Sequence, residues 1–306
     1  MKIATAIIQD NHVMYIHQLE KIMRIIKKIH KAEYRPIADL LTYSAMPSRT
    51  LDHLDPFIFL NHHGFQTYPA HNRGLPFGPH PHRGMETVTF ILEGDIMHLD
   101  SSGHESVIGP GGVQYMTAGS GLIHSEVSSS EFKKKGGDLE ILQLWLNLPA
   151  DKKMMKPSYV GLQKDKIPTF TLDSGRVKIQ QLFGEWNGSK GAFEGNFPIT
   201  MSTIHLEAGG KFEKSVAEDE NIFFYVVRGI LKVNDKEVNC RNLIEFENQG
   251  DVIHVEAAED AVIILGHALP FNESMVAQGP FVMNTQAQIQ EAYDDYEAGK
   301  FGTWSH

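Results

Sequence analysis

From about residue 33 the chain is written in short apolar runs broken by Gly, Pro, Asp and Asn, a pattern that favours the strands of a sandwich or barrel over βαβ units. Val88-Thr89-Phe90-Ile91-Leu92 stops at Glu93-Gly94-Asp95, and Ile96-Met97-His98-Leu99-Asp100 stops at Ser101-Ser102-Gly103, which predicts strand, turn, strand. Pro110-Gly111-Gly112 marks a tight turn before Val113-Gln114-Tyr115-Met116, and Ile141-Leu142-Gln143-Leu144-Trp145-Leu146 reads as a strand closed by Asn147-Leu148-Pro149.

After the polar stretch Ala150 to Pro157 the pattern repeats in outline. Phe223-Phe224-Tyr225-Val226-Val227-Arg228-Gly229 echoes Val88 to Gly94, and Asn248-Gln249-Gly250-Asp251-Val252-Ile253 echoes the turn at Pro110. A mainly β chain of two tandem barrels is expected, with boundaries at 23–150 and 151–306. Residues 1–22 form an N-terminal extension of uncertain role, with Met23 as an alternative start. The one clear helix lies between Thr285 and Gly299. Thr285 and Gln288 are spaced as a capping box, Ile289, Ala292 and Tyr293 follow at helical spacing, and Gly299 is a stop. Its acidic residues, Glu291, Asp294, Asp295 and Glu297, are expected to face water.

Composition narrows the function classes. The chain has 306 residues, enough for two ordinary cores. A formal net charge of -10 opposes direct nucleic-acid binding, which draws on clustered Lys and Arg. The dense basic stretch Lys21 to Lys31 fits either an amphipathic surface helix or an edge strand with a solvated face. A single cysteine, Cys240, excludes a disulfide framework, suits a reducing cytoplasm and is expected to be buried. No stretch approaches the ~20 apolar residues of a membrane span, and the opening apolar run is cut by Gln9, Asp10 and Asn11 before a secretory segment is complete.

Two runs carry candidate metal chemistry. In Pro79-His80-Pro81-His82 and His124-Ser125-Glu126 two ligand-type residues stand two apart, and strand alternation puts both members of each pair on one face. Three imidazoles and a carboxylate suit Fe, Mn, Ni, Cu or Zn, and four protein donors leave positions open on a six-coordinate ion. His62-His63 is a contrasting case, since strand neighbours point to opposite faces. Aligning Gly94 with Gly229 sets Ser215 and Ala217 at the places of His80 and His82, so the second barrel is expected to bind no metal.

The spacing Gly74-x5-His80-x-His82-x3-Glu86, followed by Pro110-x-Gly112, resembles the two motifs of the cupin superfamily, with Tyr115 where a ligand histidine is usual. The string Phe77-Gly78-Pro79-His80-Pro81-His82-Arg83-Gly84-Met85-Glu86-Thr87-Val88-Thr89, then Gln114 to Glu126 and Gly279-Pro280-Phe281-Val282-Met283-Asn284-Thr285, resembles the pirin family over residues 23 to 302. That resemblance implies two tandem cupin-type barrels and one metal, iron in the best-known members, on His80, His82, His124 and Glu126. It makes Glu86 a carboxylate that orients the coordinated imidazoles or serves, with Glu126, as a catalytic base. Phe77 is expected at the mouth, as a stacking surface or as core, while Gln143 faces either the pocket or solvent. His98, Asp100 and His104 lie at or near a hairpin end, where they either add polar groups to the pocket or, as the first expectation, lie at the surface.

The resemblance implies a metal-dependent dioxygenase of the quercetin 2,3-dioxygenase type, acting on a small aromatic flavonol. The alternative is an iron-dependent redox sensor that acts through a protein partner, and a plainer one is a metal that staples the barrel. A cytoplasmic monomer with no direct nucleic-acid or membrane contact is expected in each case.

Overall fold

The computed structural model describes residues 21–304, so most of the expected extension, residues 1–20, lies outside the described residues. The fold is mainly β, two cupin barrels in tandem with a short C-terminal helix, as the run pattern implies. The N-terminal barrel packs a seven-stranded sheet against a four-stranded one. Hydrogen-bonded order in the large sheet is Ser158–Leu162, Val113–Thr117, Met85–Glu93, Gly137–Asn147, Phe57–Tyr68, Thr42–Met46 and Glu33–Tyr34. The small sheet runs Glu105–Ile108, Ile96–Asp100, Leu122–Val127, Phe77–His82. The C-terminal barrel repeats this plan, with Lys211–Ser215 and Val252–Ala257 in the places of the two ligand-bearing strands.

The halves exchange their ends, which shifts the boundaries expected at residues 23 and 150. Ile26–Lys31 pairs antiparallel with Asn242–Phe246 at the edge of the C-terminal sheet, not within the N-terminal barrel. Of the two readings open for the basic stretch, the edge strand is the observed one: Ile26 and His30 are buried while Lys27, Lys28 and Lys31 face water. Lysines on an edge also discourage further strand pairing. Ser158–Leu162 stays with the N-terminal sheet beyond residue 150. Alternation within a run shows which side is apolar but not which sheet it joins, so these partners are not readable locally.

The C-terminal tail returns to the first barrel. The Val282 N–H donates to the Arg83 carbonyl (3.0 Å). Buried Lys153 gathers the Gly84 carbonyl (2.9 Å), the Val282 carbonyl (3.0 Å) and Asn147 Oδ1 (2.5 Å). Gly84 has φ +77°, and a Cβ there would strike the Val282 carbonyl and the Met283 sulfur, so only glycine allows this approach. The helix Gln286–Glu297 has the expected capping box of Thr285 and Gln288, and buries Ile289 and Ala292. Its acidic face is not wholly solvated. Asp295 takes a hydrogen bond from Arg83 (2.8 Å), an ion pair that holds the helix against the first barrel.

One continuous apolar core joins the barrels. Phe57, Val88, Phe90 and Leu144 meet Phe183, Phe223, Tyr225 and Ile264, with Phe57 and Phe223 stacked at 5.3 Å. A buried polar cluster sits beside it. His62 bonds Glu140 (3.0 Å) and Tyr225 (3.1 Å), and Arg228 from the second barrel pairs with Glu140. In the second barrel the interior is filled by Phe212, Phe224, Ile253, Val255 and their neighbours. Cys240, expected to be buried, is exposed, because it lies in the short turn between Lys236–Asn239 and Asn242–Phe246.

Burial alone would raise the Glu140 carboxyl, but hydrogen bonds and charge from His62 and Arg228 together hold it below the ordinary carboxylate value. A carboxyl lowered in the folded state stabilises the protein above its unfolded pKa, and that stabilisation is lost as pH falls through the folded value. Glu140→Ala should therefore destabilise the protein by about 2 kcal/mol at neutral pH, less than a fully buried pair because Arg228 is partly solvated. Urea unfolding at a series of pH values checks this: the gap between variant and parent should narrow below about pH 4.

Candidate metal centre

Phe77–His82 lies at the end of the four-stranded sheet, where the prolines at 79 and 81 cost no ladder hydrogen bonds. It pairs antiparallel with Leu122–Val127 in a register that sets His80 opposite His124 and His82 opposite Leu122, with an irregularity that brings Glu126 opposite Phe77. Cross-strand partners share a face, so three imidazoles converge. Their ring centroids are 4.4 to 5.0 Å apart, and one ring nitrogen from each lies within 4.8 Å of the others.

These rings are arranged as ligands. His80 Nδ1 donates to the Gly78 carbonyl (2.7 Å) and His82 Nδ1 to the Pro280 carbonyl (3.2 Å), which leaves each Nε2 with a free lone pair. Among the described residues, His82 Nε2 and both ring nitrogens of His124 are buried without a hydrogen-bond partner. Buried polar atoms in that state are costly unless something satisfies them, and one metal ion at the triad would satisfy His82 Nε2 and one of the two His124 nitrogens. Burial and neighbouring His80 push His82 down to about 3. Burial, then His82, His80 and His98, push His124 well below its ordinary value. Both rings are therefore neutral at physiological pH, as metal ligation requires.

Glu126 stands beside this triad, its Oε2 4.0 Å from His124 Nε2. Oε1 accepts from the Thr89 hydroxyl (3.1 Å) and Oε2 from the Gln143 amide (2.5 Å). Gln143 therefore faces the pocket, the first of its two open readings. Its amide is oriented in turn by Trp145, whose indole N–H, a donor only, bonds Gln143 Oε1 (3.0 Å) and so turns the NH2 toward Glu126. Trp145 also packs edge-on against His82, with ring centroids 5.1 Å apart, and stacks on Phe59 at 4.4 Å.

Glu86 is elsewhere, which corrects its expected part as an orienting carboxylate or base for the metal site. It accepts from Tyr115 OH (2.6 Å), Thr117 Oγ1 (2.9 Å) and Asn196 Nδ2 (2.6 Å), on the same side of the sheet as the core between the barrels. The positive φ of Gly84 breaks the alternation after His82, so the pocket-facing residues of the next strand are odd-numbered, Thr89 among them. Tyr115, at the usual ligand position, is hydrogen-bonded to Glu86 and equally removed from the triad.

His98 and Asp100 are not at the surface as expected. Their strand pairs with the ligand strand, His98 opposite Glu126 and Asp100 opposite His124. His98 bonds Asp100 (3.0 Å), stacks flat on Tyr159 at 3.8 Å and lies 5.5 Å from the His124 ring. Only His104 of that trio is solvated. Phe77 is half-buried with its ring 5.2 Å from His63, and His63, pushed down to about 3 by burial and by His62, bonds Thr42 (2.9 Å). His62 points the other way, into the cluster between the barrels. Sequence reading passes over Trp145, Thr89 and the Pro280 carbonyl. The alternation of Leu142, Leu144 and Leu146 against Gln143 and Trp145 carries the signal for Trp145, whereas nothing local marks Pro280.

Two tandem cupin barrels with a histidine triad in the first define a bicupin. Residues 40–146 match the Pirin family and residues 201–302 the Pirin C-terminal cupin domain, and the chain belongs to the pirin family. It is 37% identical over 249 residues to a pirin-like protein of Caulobacter vibrioides, covering 81% of this chain and 87% of that one. A pirin-like protein of Solanum lycopersicum is 36% identical over 256 residues, with 82% and 84% covered. The crystal structure of a quercetin 2,3-dioxygenase from Acinetobacter baumannii superposes with a TM-score of 0.85 at 33% identity, over 92% of this chain and 99% of that one.

Trp145→Phe keeps a ring between Phe59 and His82 but removes the indole donor, freeing the Gln143 amide to rotate. Affinity for a divalent ion, measured by chelator competition, should fall roughly tenfold or more. Gln143→Ala should give a similar loss, and the double variant little further loss, because both act through Glu126.

Proposed function

We propose that this chain is a metal-dependent dioxygenase acting on a small aromatic, quercetin-like flavonol, with one divalent ion held by His80, His82, His124 and Glu126. Iron is the first choice, with Mn, Ni, Cu or Zn as alternatives that the same donors accept. The observation that carries this reading is the buried triad with its unpartnered ring nitrogens. The 33% identity to the Acinetobacter baumannii quercetin 2,3-dioxygenase supports the reaction class.

When bound, the ion supplies a Lewis-acidic centre at which a substrate hydroxyl becomes more acidic. The chain's own residues do the rest. Glu126 reaches into the pocket with both oxygens already held, Oε1 by Thr89 and Oε2 by Gln143, so it is positioned to accept the proton of that hydroxyl. Phe77, beside His63, offers a ring face on which a flat substrate can stack. Trp145 packs edge-on against His82, beside the metal ligands.

Protein loaded anaerobically with Fe(II) and then mixed with oxygenated quercetin should consume oxygen, followed with an electrode. Glu126→Gln should lower the turnover number by about 100-fold, in the range for losing a positioned base, while circular dichroism shows an intact barrel. Absence of oxygen uptake with several flavonols, in protein confirmed to hold the metal, would exclude the dioxygenase reading.

A further inference from the structure

A second candidate site lies in the groove between the two barrels, away from the histidine triad. Strand registers place Lys178 opposite Thr171 on one side and His205 on the other, then His205 opposite Val262, and Val262 opposite Arg228. These residues form one transverse row on a single face of the C-terminal sheet. Val177, Ile179, Ile204 and Leu206 turn the other way, into the core of the second barrel, so the row faces outward. Next along the same strand, Gln180 donates to the Gly111 carbonyl of the first barrel (3.2 Å), which shows that this face borders the groove.

From the first barrel, Lys164 lays its stem over Gly111 and brings a second ammonium to the groove. Two cavities meet at Lys178, one of about 520 Å³ that Lys164 also lines and one of about 380 Å³ bordered by Thr171, His205 and Arg228. Most charges near by are already matched. Arg228 pairs with Glu93 and Glu140, Arg176 with Asp173, and Asp165 with Lys166. Glu207 and Asp260, which likewise have no ion-pair partner among the described residues, border the smaller cavity, where Asp260 accepts the Ala208 N–H (2.9 Å). Among the described residues Lys164 and Lys178 have no ion-pair partner, although the whole chain carries -10. His205 is left beside three cations, Lys164, Lys178 and Arg228, and burial together with those charges pushes it down to about 4.

We propose that this inter-barrel groove, centred on Lys178, binds a phosphate-class oxyanion. Lys178 and Lys164 would supply the charge, the Thr171 hydroxyl a hydrogen bond, and His205 an imidazole N–H. The site is independent of the metal, and no step at the histidine triad is needed for it to form. An anion there would also bring charge balance to the face where the two barrels meet.

Inorganic phosphate titrated into the metal-loaded protein at constant ionic strength, and followed through the His205 imidazole resonances by NMR, tests this directly. Saturable shifts are expected, with the His205 titration moving to higher pH as the anion offsets the three cations. Lys178→Gln and Lys164→Gln should each weaken binding roughly tenfold or more, Lys178→Arg should retain it, and Lys28→Gln on the outer edge strand should leave it unchanged. Thermal unfolding confirms that each variant is folded. No saturation of wild type below about 10 mM phosphate, or equal affinity in wild type and both glutamine variants, overturns the proposal. Phosphate held at the triad instead would leave the His205 signals unmoved and overturn it equally.

Discussion

The antiparallel register that sets His80 opposite His124 governs what the N-terminal barrel can do. Shifted by one residue, every side chain of Phe77–His82 would change faces, the triad would be lost, and Pro79 and Pro81 would point inward in place of the imidazoles. The register is held from both sides. Ile96–Asp100 pairs with the other edge of Leu122–Val127, and the returning tail anchors the chain just past His82 through Val282 on Arg83. With the backbone so constrained, three ring nitrogens are buried without a hydrogen-bond partner among the described residues. A desolvation cost of that kind persists only where the site gains something from it.

The tail is as much a part of the centre as the strands. Pro280 belongs to the segment that opens the C-terminal helix, yet its carbonyl takes the Nδ1 proton of His82 and so decides which nitrogen is free. Lys153 ties Gly84 and Val282 together within one coordination sphere of three oxygens, a geometry that spends all three ammonium donors. The first barrel thus depends on residues near the end of the chain, while the second depends on Ile26–Lys31 near its beginning. Neither barrel is complete on its own segment of sequence, and the shared apolar core around Phe57 and Phe223 packs the two together.

How much of this is legible in the sequence follows from the range of the interactions. The two ligand pairs need only strand alternation over three residues, so His80, His82 and His124 are readable locally, and the capping box at Thr285 and Gln288 is readable for the same reason. Glu86 misleads because a spacing motif counts residues without saying whether the alternation survives. The turn at Gly84, forced by contact with Val282 far along the chain, reverses the phase. His98 and Asp100 look like a hairpin end when viewed alone, and become buried because of the strand that happens to pair with them. The edge position of Ile26–Lys31 is likewise set by a partner more than two hundred residues away.

Divergence between the two halves has a physical pattern. The strands equivalent to the ligand strands, Lys211–Ser215 and Val252–Ala257, send Phe212, Ile253 and Val255 inward, so the second barrel exchanges a polar centre for a filled apolar core. Such a core needs no metal to satisfy it, and its stability comes from packing. On the seven-stranded sheet of the same barrel, the face turned away from that core carries polar residues, and Lys178, His205 and Arg228 line up there toward the first barrel. Arg228 is committed to Glu140 and Glu93 and serves the joint between the barrels. Among the described residues Lys178 and Lys164 have no such commitment; both are solvent-exposed where the surfaces of the two barrels meet, and clustered like charge along a cleft raises the local concentration of counter-ions.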